Sequence, residues 1–432
     1  MYRIAIEELK KWKKSRTRKP LILNGARQVG KTWLLKHFGE ENYKNVAYLN
    51  LEGNPLSQSI FSSTDPKTII ENIEIFLKTK IVPKETLIII DEIQTTPAAL
   101  TSLKYFCEEA NDYHIAVAGS LLGIAVNQGA SFPVGKVDFI NIYPMNFYEF
   151  LLATENRQLA QKIKSGSPES LEPFHEMLVS LLKKYFIVGG MPEVVANFIS
   201  TGNMLETRKL QNRILDSYER DFAKHVNLSE AVKIREIYQI IPNQLAKENK
   251  KFIFGLIRTG ARAASYETAL LWLEDAGLIS RVHRIKTAKI PLKAYSENDV
   301  FKVYMSDIGL LGAKAELEPS VILENERLFV EFKGALAEQF VFSELRSIGE
   351  TLYYYTNDDS RNEIDFIISF NTSILPIEIK SGQNLKSASL NSFIEDNNLK
   401  KAIKFSTLPY KKNKVIINAP LYLAEFLQSL LD

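Results

Sequence analysis

One stretch near the N-terminus restricts the fold more than any other. In "KPLILNGARQVGKTWLLKHFG", an apolar run over Leu21–Leu23 precedes a glycine-rich turn, and a helical pattern begins at Lys31. Gly25 is followed by four residues and then by Gly30, Lys31 and Thr32, which completes a phosphate-loop pattern. A strand, such a loop and a helix form one unit of a parallel sheet covered by helices. The chain is therefore expected to contain an α/β domain that binds a nucleotide.

The residue types of this loop match the chemistry of a phosphate group. Glycines let successive main-chain amides point at the β-phosphate, Lys31 reaches the β and γ oxygens, and the Thr32 hydroxyl is a ligand for Mg²⁺. A turn that binds nothing is the alternative, but the flanking strand and helix disfavour it. The predicted cofactor-binding residues of the loop are Gly25, Ala26, Arg27, Gln28, Val29, Gly30, Lys31, Thr32 and Trp33.

Two later apolar runs end in polar residues. In "TLIIIDEIQ", Leu87–Ile90 precede Asp91 and Glu92, and in "HIAVAGSLL" a second run leads to Ser120. Ligands of parallel sheets bind beyond the carboxyl ends of the strands. Asp91 is therefore predicted to hold the water shell of Mg²⁺, Glu92 to polarise the attacking water, and Ser120 to sense the γ-phosphate. The alternative for the two acids is a helix-capping role.

Composition excludes several classes of protein. The length of 432 residues predicts two to four domains. The net charge of +3 means that affinity for a polyanion has to come from local patches, such as "KKWKKSRTRK", which either contacts phosphates or is a solvated helix end. One cysteine and five scattered histidines argue against disulfides and a His/Cys zinc site. Without a signal peptide or a membrane-length apolar run, the protein is expected to be cytoplasmic.

Five segments together resemble a known family. "GARQVGKT", "LIIIDEIQ", "AGSLLG", "IYPMNFYEFL" and "GGMPEVV" resemble the prokaryotic AAA+ ATPases that carry a C-terminal domain of unknown function, over nearly the whole chain. The resemblance implies nucleotide and Mg²⁺ at Lys31 and Thr32, and metal and water acids at Asp91 and Glu92. It also implies ATP hydrolysis, and such relatives often form rings, so a homo-oligomer is expected.

The same resemblance singles out one arginine. Arg220, in "YERDF", matches a family arginine that would act on the γ-phosphate, either within its own chain or in a neighbouring subunit. The alternative is a surface ion pair with Asp221 or another neighbour. Ser120 matches the position of the family's sensor residue.

The middle of the chain reads as helical and then as a winged helix. Residues 151–228 have apolar positions at helical spacing, which predicts a helical lid over the nucleotide. Residues 229–292 follow the order helix, turn, helix and strand, with Ser265 as the expected cap of the second helix. DNA binding is the expected role, and docking of a protein is the alternative. The basic residues suited to phosphate contacts are Arg258, Arg262, Arg281, Arg284 and Lys286.

The C-terminal segment places acids on matching faces of two strands. Glu363 and Asp365 share one face in "EIDFII", and Glu378 and Lys380 share one in "IEIK". If the strands pair, these groups converge, and Glu338 of the preceding helix can reach them. Asp365 and Glu378 would then ligate Mg²⁺, and Lys380 would activate a water.

This order of groups resembles the PD-(D/E)XK nucleases. The catalytic residues that the resemblance implies are Glu338, Asp365, Glu378 and Lys380, with metal ligands at Asp365 and Glu378. The alternative is a cross-strand ion network in which Lys380 pairs with Glu363 or Asp365.

The expected fold is therefore α/β and multidomain. It comprises a P-loop AAA+ core over 1–150, a helical lid over 151–228, a winged helix over 229–292 and a restriction-endonuclease-like α/β domain over 293–432. The expected function is Mg²⁺-dependent ATP hydrolysis coupled to binding of DNA, with phosphodiester cleavage in the C-terminal domain. Two alternatives remain: a nucleotide-gated DNA-binding switch without nuclease activity, and a chaperone-like ATPase whose winged helix docks proteins.

Overall fold

The computed structural model describes residues 1–53, 55–119, 132–247, 251–324, 330–357, 362–380 and 387–431. The chain divides into two compact units. The first comprises residues 1–143 together with 275–278, and the second comprises 144–274 together with 279–432. Within the described ranges, no helix combines the length and apolar character needed to cross a membrane.

The first unit is built on a five-stranded sheet in the order β2-β3-β4-β1-β5, in which every pairing is parallel. Its strands are β1 (Leu21–Asn24), β2 (Asn45–Asn50), β3 (Thr86–Asp91), β4 (His114–Ala118) and β5 (Asp138–Asn141). Its helices are α1 (Ala5–Lys14), α2 (Lys31–Asn42), α3 (Pro55–Ser59), α4 (Pro66–Leu77) and α5 (Pro97–Glu109), with short 3-10 helices at Ile60–Ser62 and Ile93–Thr95.

Sequence pattern and structure agree closely in this unit. All residues of β3 and β4 are buried, as expected for central strands of a parallel sheet with both faces covered. Helix α4 begins as its sequence indicates, because the Asp65 carboxylate accepts hydrogen bonds from the amides of Lys67 and Thr68, and Pro66 occupies the first turn. The prediction of an α/β core with a parallel sheet is confirmed.

The second unit begins with helices and ends in a mixed sheet. Its helices are α6 (Phe147–Ala153), α7 (Arg157–Ser165), α8 (His175–Val188), α9 (Pro192–Thr201), α10 (Met204–His225), α11 (Leu228–Leu245), α12 (Ala263–Asp275), α13 (Ile308–Lys314), α14 (Pro319–Glu324), α15 (Val330–Ser347), α16 (Ala388–Asp396) and α17 (Leu427–Leu431). Short 3-10 helices lie at Pro168–Phe174, Phe254–Leu256, Leu292–Tyr295 and Leu421–Phe426.

The structure explains why the "GGMPEVV" segment contains two adjacent glycines. The buried carboxylate of Asp307 accepts a hydrogen bond from the Gly190 amide at 2.6 Å and caps α13 through the Leu310 amide at 2.8 Å. A Cβ atom at Gly190 would lie 1.9 Å from the main-chain oxygen of Met145, so no other residue fits there. The two glycines therefore allow the end of α8 to pack against two other segments of the same unit.

The second sheet has eight strands in the order β12-β13-β11-β10-β9-β8-β6-β7. The strands are β6 (Ile279–Ile285), β7 (Ser296–Met305), β8 (Tyr353–Thr356), β9 (Glu363–Phe370), β10 (Ser373–Lys380), β11 (Ala402–Ser406), β12 (Lys411–Lys412) and β13 (Ile416–Pro420).

This sheet changes the interpretation of the expected winged helix. Strands β6 and β7 form an antiparallel hairpin, but β6 also pairs in parallel with β8, so the hairpin continues the C-terminal sheet. The expected boundary at residue 292 falls within the connection of this hairpin. The structure also differs at the second helix, because α12 begins at Ala263 and Ser265 lies inside it instead of capping it.

Strands β9 and β10 pair antiparallel, as the C-terminal pattern predicts. The paired residues run from Ser373 opposite Phe370 to Ile377 opposite Phe366. Ile364 and Ile367 of β9 pack with Phe393 of α16 in one core cluster, although strict alternation would place positions three residues apart on opposite faces. The register with β8 shifts between these positions, from Tyr355 opposite Ile364 to Tyr353 opposite Ile367, so the two-residue alternation predicted for this strand is interrupted here.

Candidate nucleotide site and C-terminal charge cluster

The loop between β1 and α2 has the backbone of a phosphate cradle. Gly25 has a φ of 149°, and a Cβ atom there would lie 2.2 Å from the main-chain oxygen of Ile142. Gln28 and Gly30 also have positive φ angles, of 66° and 90°. A non-glycine residue in this conformation is uncommon and is concentrated at functional sites. Turns of this kind direct successive amides to one side, where they can bind an anion.

Lys31 lies at the centre of this cradle. Its Nζ atom donates hydrogen bonds to the main-chain oxygens of Gly25 and Ala26, at 2.8 Å each. Burial lowers the pKa of Lys31 to about 8, and the nearby carboxylates of Glu92 and Asp91 offset only part of this effect. A buried ammonium with no anionic partner at bonding distance is well suited to bind phosphate oxygens.

Thr32 and Asp91 meet at the carboxyl edge of the sheet. The Thr32 hydroxyl donates to the Asp91 Oδ2 atom at 2.8 Å, and the Tyr48 hydroxyl donates to the same oxygen at 3.0 Å. A hydroxyl and a carboxylate are oxygen ligands of the type that Mg²⁺ selects. These residues therefore fit a magnesium ion, which Thr32 and Asp91 would hold.

Glu92 has an unusual backbone conformation. Its φ and ψ angles are 52° and 42°, in the left-handed region. The Glu92 amide donates to the Asp91 Oδ1 atom at 3.1 Å, and its carboxylate accepts a hydrogen bond from the Gln94 side chain. The turn thus directs two adjacent acids differently: Asp91 toward Thr32, and Glu92 toward Gln94. This hydrogen bond from Gln94 is not apparent from the sequence pattern.

Arg3 is a second residue that the motif does not reveal. Its side chain is only 4% exposed. Nη1 donates to the main-chain oxygen of Val29 at 2.8 Å, and Nη2 donates to that of Tyr143 at 2.6 Å. The guanidinium therefore ties the phosphate loop to the segment that follows β5.

The structure places only some of the other residues that were predicted to act on the nucleotide. Trp33 is 43% exposed and stacks on His37, with ring centroids 4.7 Å apart. Ser120 lies outside the described residues. Arg220 lies on the exposed side of α10 in the second unit, and its action on the γ-phosphate stays a prediction.

The basic residues expected at a DNA groove fall into two groups. Arg281 is bonded to Glu267 at 2.8 Å and to Glu274 at 2.7 Å, and its side chain is only 9% exposed. Arg284 and Lys286 both pair with Glu297. Arg281 and Arg284 are therefore engaged in ion pairs within the protein. Lys286 shares Glu297 with Arg284 and is 55% exposed, and Arg258 and Arg262 are also exposed.

The C-terminal acids and lysines lie on one face of the second sheet. Asp365 Oδ2 accepts a hydrogen bond from the Ile379 amide at 2.7 Å, and Glu378 pairs with Lys380 of the same strand. The Glu378 Oε2 atom is buried and has no hydrogen-bond partner. Burial raises the pKa of Glu378, Lys380 lowers it, and Glu363 and Glu338 raise it further. A buried carboxylate oxygen without a hydrogen-bond partner can be satisfied by a cation.

Lys302 of β7 changes the interpretation of this cluster. Its Nζ atom lies 3.0 Å from Glu338 Oε1 and 2.6 Å from Glu363 Oε1. The Tyr304 hydroxyl also donates to Glu338. Glu338 is thus bound by an internal cation and a hydroxyl. Across the described ranges, no group of three or more His, Cys, Asp and Glu side chains is arranged to hold a metal ion.

The charged side chains form an ion network, but with other pairs than the alternative interpretation expected. Lys380 pairs with Glu378 of its own strand, and Glu363 pairs with Lys302. Lys302 lies within the segment 293–432 that was expected to form the C-terminal domain, but the sequence pattern does not show that β7 lies beside Glu338 and Glu363.

Comparison with protein families matches three segments of the chain. Residues 17–151 match the family described as an AAA domain. Residues 179–321 match a domain of unknown function (DUF8612), and residues 333–422 match another (DUF4143). The chain therefore carries an AAA-type P-loop ATPase domain, followed by domains of unknown function. A search of curated proteins finds no match.

Similar solved structures include three from archaea. The Walker-type ATPase of Pyrococcus abyssi has 14% identity and a TM-score of 0.45, over 72% of this chain and 95% of that chain. A STAND ATPase with a tetratricopeptide repeat sensor from Pyrococcus horikoshii has 15% identity and a TM-score of 0.28, over 79% and 45%. The Orc1 protein of Aeropyrum pernix, solved in complex with DNA, has 11% identity and a TM-score of 0.28, over 72% and 90%. At these values the likenesses carry no conclusion about the function of this chain.

Proposed function

We propose that the first unit binds ATP with Mg²⁺ and hydrolyses it. The observation that carries this proposal is the hydrogen bond from Thr32 to Asp91, beside the buried ammonium of Lys31. It brings Asp91, at the end of β3, to Thr32 at the start of α2, although the two residues are about 60 positions apart in sequence, as an ATPase requires.

Each group has a distinct role in this proposal. Lys31 exchanges its two main-chain acceptors for the β- and γ-phosphate oxygens. Thr32 and Asp91 hold Mg²⁺, which supplies positive charge to the phosphates. Glu92 accepts a hydrogen bond from the attacking water and orients it toward the γ-phosphate, while Gln94 holds the Glu92 carboxylate in place.

A binding experiment with Lys31→Ala tests the proposal. Lys44→Ala is a matched control, because Lys44 is an exposed lysine of the same unit that pairs only with Glu85. With a fluorescent ATP analogue, the Lys31 variant is expected to lose binding by about 100-fold or more, and the Lys44 variant to bind normally. Equal affinity in both variants would reject the nucleotide site.

A second candidate function is Mg²⁺-dependent phosphodiester cleavage by the second unit. It is favoured by two carboxylates on neighbouring strands, Asp365 of β9 and Glu378 of β10, and by the orphaned Glu378 Oε2 atom. Asp365 and Glu378 would hold the ion, which would polarise the phosphodiester, and Lys380 would orient the attacking water. We propose DNA as the substrate class, bound through the exposed Arg258 and Arg262.

Incubation with Mg²⁺ and single- or double-stranded DNA tests this second function. Asp365→Asn is expected to abolish cleavage, whereas Asp396→Asn, on the exposed part of α16, is expected to leave it intact. If DNA is bound but not cut by the unmodified protein, the nucleotide-gated switch replaces the nuclease. If DNA neither binds nor changes the rate of ATP turnover, the protein-docking role is the better account.

A further inference from the structure

Lys302 is the most unusual charged residue of the second unit. Its side chain has no exposed surface, yet its ammonium contacts two carboxylates, from different elements: Glu338 of α15 at 3.0 Å and Glu363 of β9 at 2.6 Å. The ring of Tyr354 lies 4.9 Å from the same ammonium. A lysine that reaches across a sheet to two acids is a different arrangement from a surface ion pair.

The electrostatics of this site keep the lysine charged. Burial lowers the pKa of Lys302, but the attraction of Glu338, Glu363 and Asp365 outweighs burial and raises it overall. Removing the ammonium would leave the buried Glu338 carboxylate and the partly exposed Glu363 carboxylate without a compensating charge, which is costly for a group in a protein interior. Carboxylates that have lost their compensating cation either take up protons or bind another cation.

We propose that the ammonium of Lys302 is a built-in cation that occupies, between Glu338 and Glu363, the place that a divalent metal ion would otherwise take. The Tyr304 hydroxyl also donates a hydrogen bond to Glu338. Glu338 therefore orients Lys302 and is not a metal ligand in the protein as it stands. A cation at Asp365 and Glu378 would be a separate ion.

This assignment concerns the same sheet face as the proposed cleavage site but does not depend on cleavage. It predicts that Lys302→Met, which keeps the length and removes the charge, creates affinity for a divalent cation. Lys302→Arg keeps a positive charge and is expected to create none. Lys314→Met is the control for loss of a largely buried lysine, since Lys314 pairs with Glu219 at 3.4 Å in the same unit.

The test is the number of Mn²⁺ ions bound by the full-length, nucleotide-free protein, measured by electron paramagnetic resonance. The Lys302→Met variant is expected to bind one ion more than the unmodified protein, while Lys302→Arg and Lys314→Met bind the same number as the unmodified protein. An unchanged count in Lys302→Met overturns the proposal. If this variant is unfolded in buffer, millimolar Mn²⁺ is expected to restore its fold, and failure to do so also overturns the proposal.

The same measurement separates this proposal from the proposed nuclease. Because Mn²⁺ can also bind at Thr32 and Asp91, only the ion that Asp365→Asn removes from the count of the unmodified protein reports on Asp365 and Glu378. The difference made by Lys302→Met reports on Glu338 and Glu363 alone. The ion at Asp365 and Glu378 and the additional ion expected in Lys302→Met are therefore tested independently, and one can be absent when the other is present.

Discussion

The pKa of Lys31 makes ATP affinity depend on pH in a specific direction. Burial lowers this pKa to about 8 in the nucleotide-free protein, from an ordinary value of 10.5. Bound phosphate stabilises the ammonium, so the pKa rises again in the complex. Below pH 8 Lys31 already carries its proton, and above pH 8 ATP binding has to be accompanied by proton uptake. ATP affinity is therefore expected to fall as pH rises above 8.

The size of the effect follows from the titration. At pH 7 about nine-tenths of Lys31 is charged, and at pH 9 about one-tenth is, so the dissociation constant for ATP should rise roughly tenfold between these values. A full return of the pKa from about 8 to 10.5 corresponds to roughly 3 kcal/mol, which is the upper limit of the effect. The charge of ATP itself is nearly constant above pH 7.

Isothermal titration calorimetry at pH 7, 8 and 9 measures this dependence. Two buffers with different ionisation enthalpies, compared at pH 8.5, count the protons taken up on binding. The Lys31→Arg variant is the control, because arginine stays charged throughout and its affinity is expected to be independent of pH. A constant affinity from pH 7 to 9 with no proton uptake would refute the assignment of Lys31 as a buried ammonium awaiting phosphate.

Three further changes have expected outcomes. Asp91→Asn should raise the Mg²⁺ concentration needed for ATP binding about tenfold or more in a Mg²⁺ titration, and leave Mg²⁺-free nucleotide binding nearly unchanged; equal Mg²⁺ requirements would contradict its role. Arg3→Met leaves the carbonyls of Val29 and Tyr143 without their donor, so KM for ATP should rise about tenfold while kcat changes less, with partial recovery in Arg3→Lys. Because burial raises the pKa of Asp307 to about 6, the folded state binds a proton there more readily than the unfolded state. Its contribution to the free energy of unfolding should therefore grow as pH falls from about 6 to 4 in urea denaturation, and Asp307→Asn should remove that slope.

The phosphate loop was predictable because its signal is local. Residues 25–32 follow one strand and begin one helix, so the spacing of Gly25, Gly30 and Lys31 determines the turn directly. The place of Asp91 and Glu92 near the phosphate loop could also be predicted from the sequence, because the carboxyl ends of parallel strands meet at one edge of the sheet. The two-residue period of strands indicated which residues of β9 share a face, but the register shift between Ile364 and Ile367 interrupts this period.

The residues that the sequence pattern did not reveal contact groups that lie far away in the sequence. Arg3 contacts Val29 and Tyr143 through its side chain, and no motif connects these positions. Lys302 reaches Glu338 and Glu363 only because β6 pairs with β8, a parallel pairing between segments about 70 residues apart. Helix, helix and hairpin in sequence order resemble a winged helix, but the order does not show that the hairpin joins a larger sheet. Ion pairing of Arg281 and Arg284 likewise depends on acids that the fold brings beside them.

Phosphate release from ATP tests directly whether the first unit hydrolyses ATP and whether Glu92 takes part. It is measured for the unmodified protein and for Glu92→Gln, and ATP binding is measured in parallel for each. The substitution keeps the size of the side chain and removes the carboxylate that orients the attacking water. We expect Mg²⁺-dependent phosphate release by the unmodified protein. For Glu92→Gln we expect release that is at least 100-fold slower, with an unchanged dissociation constant for ATP. Equal rates of release in the two proteins, or ATP binding without release in both, would contradict it.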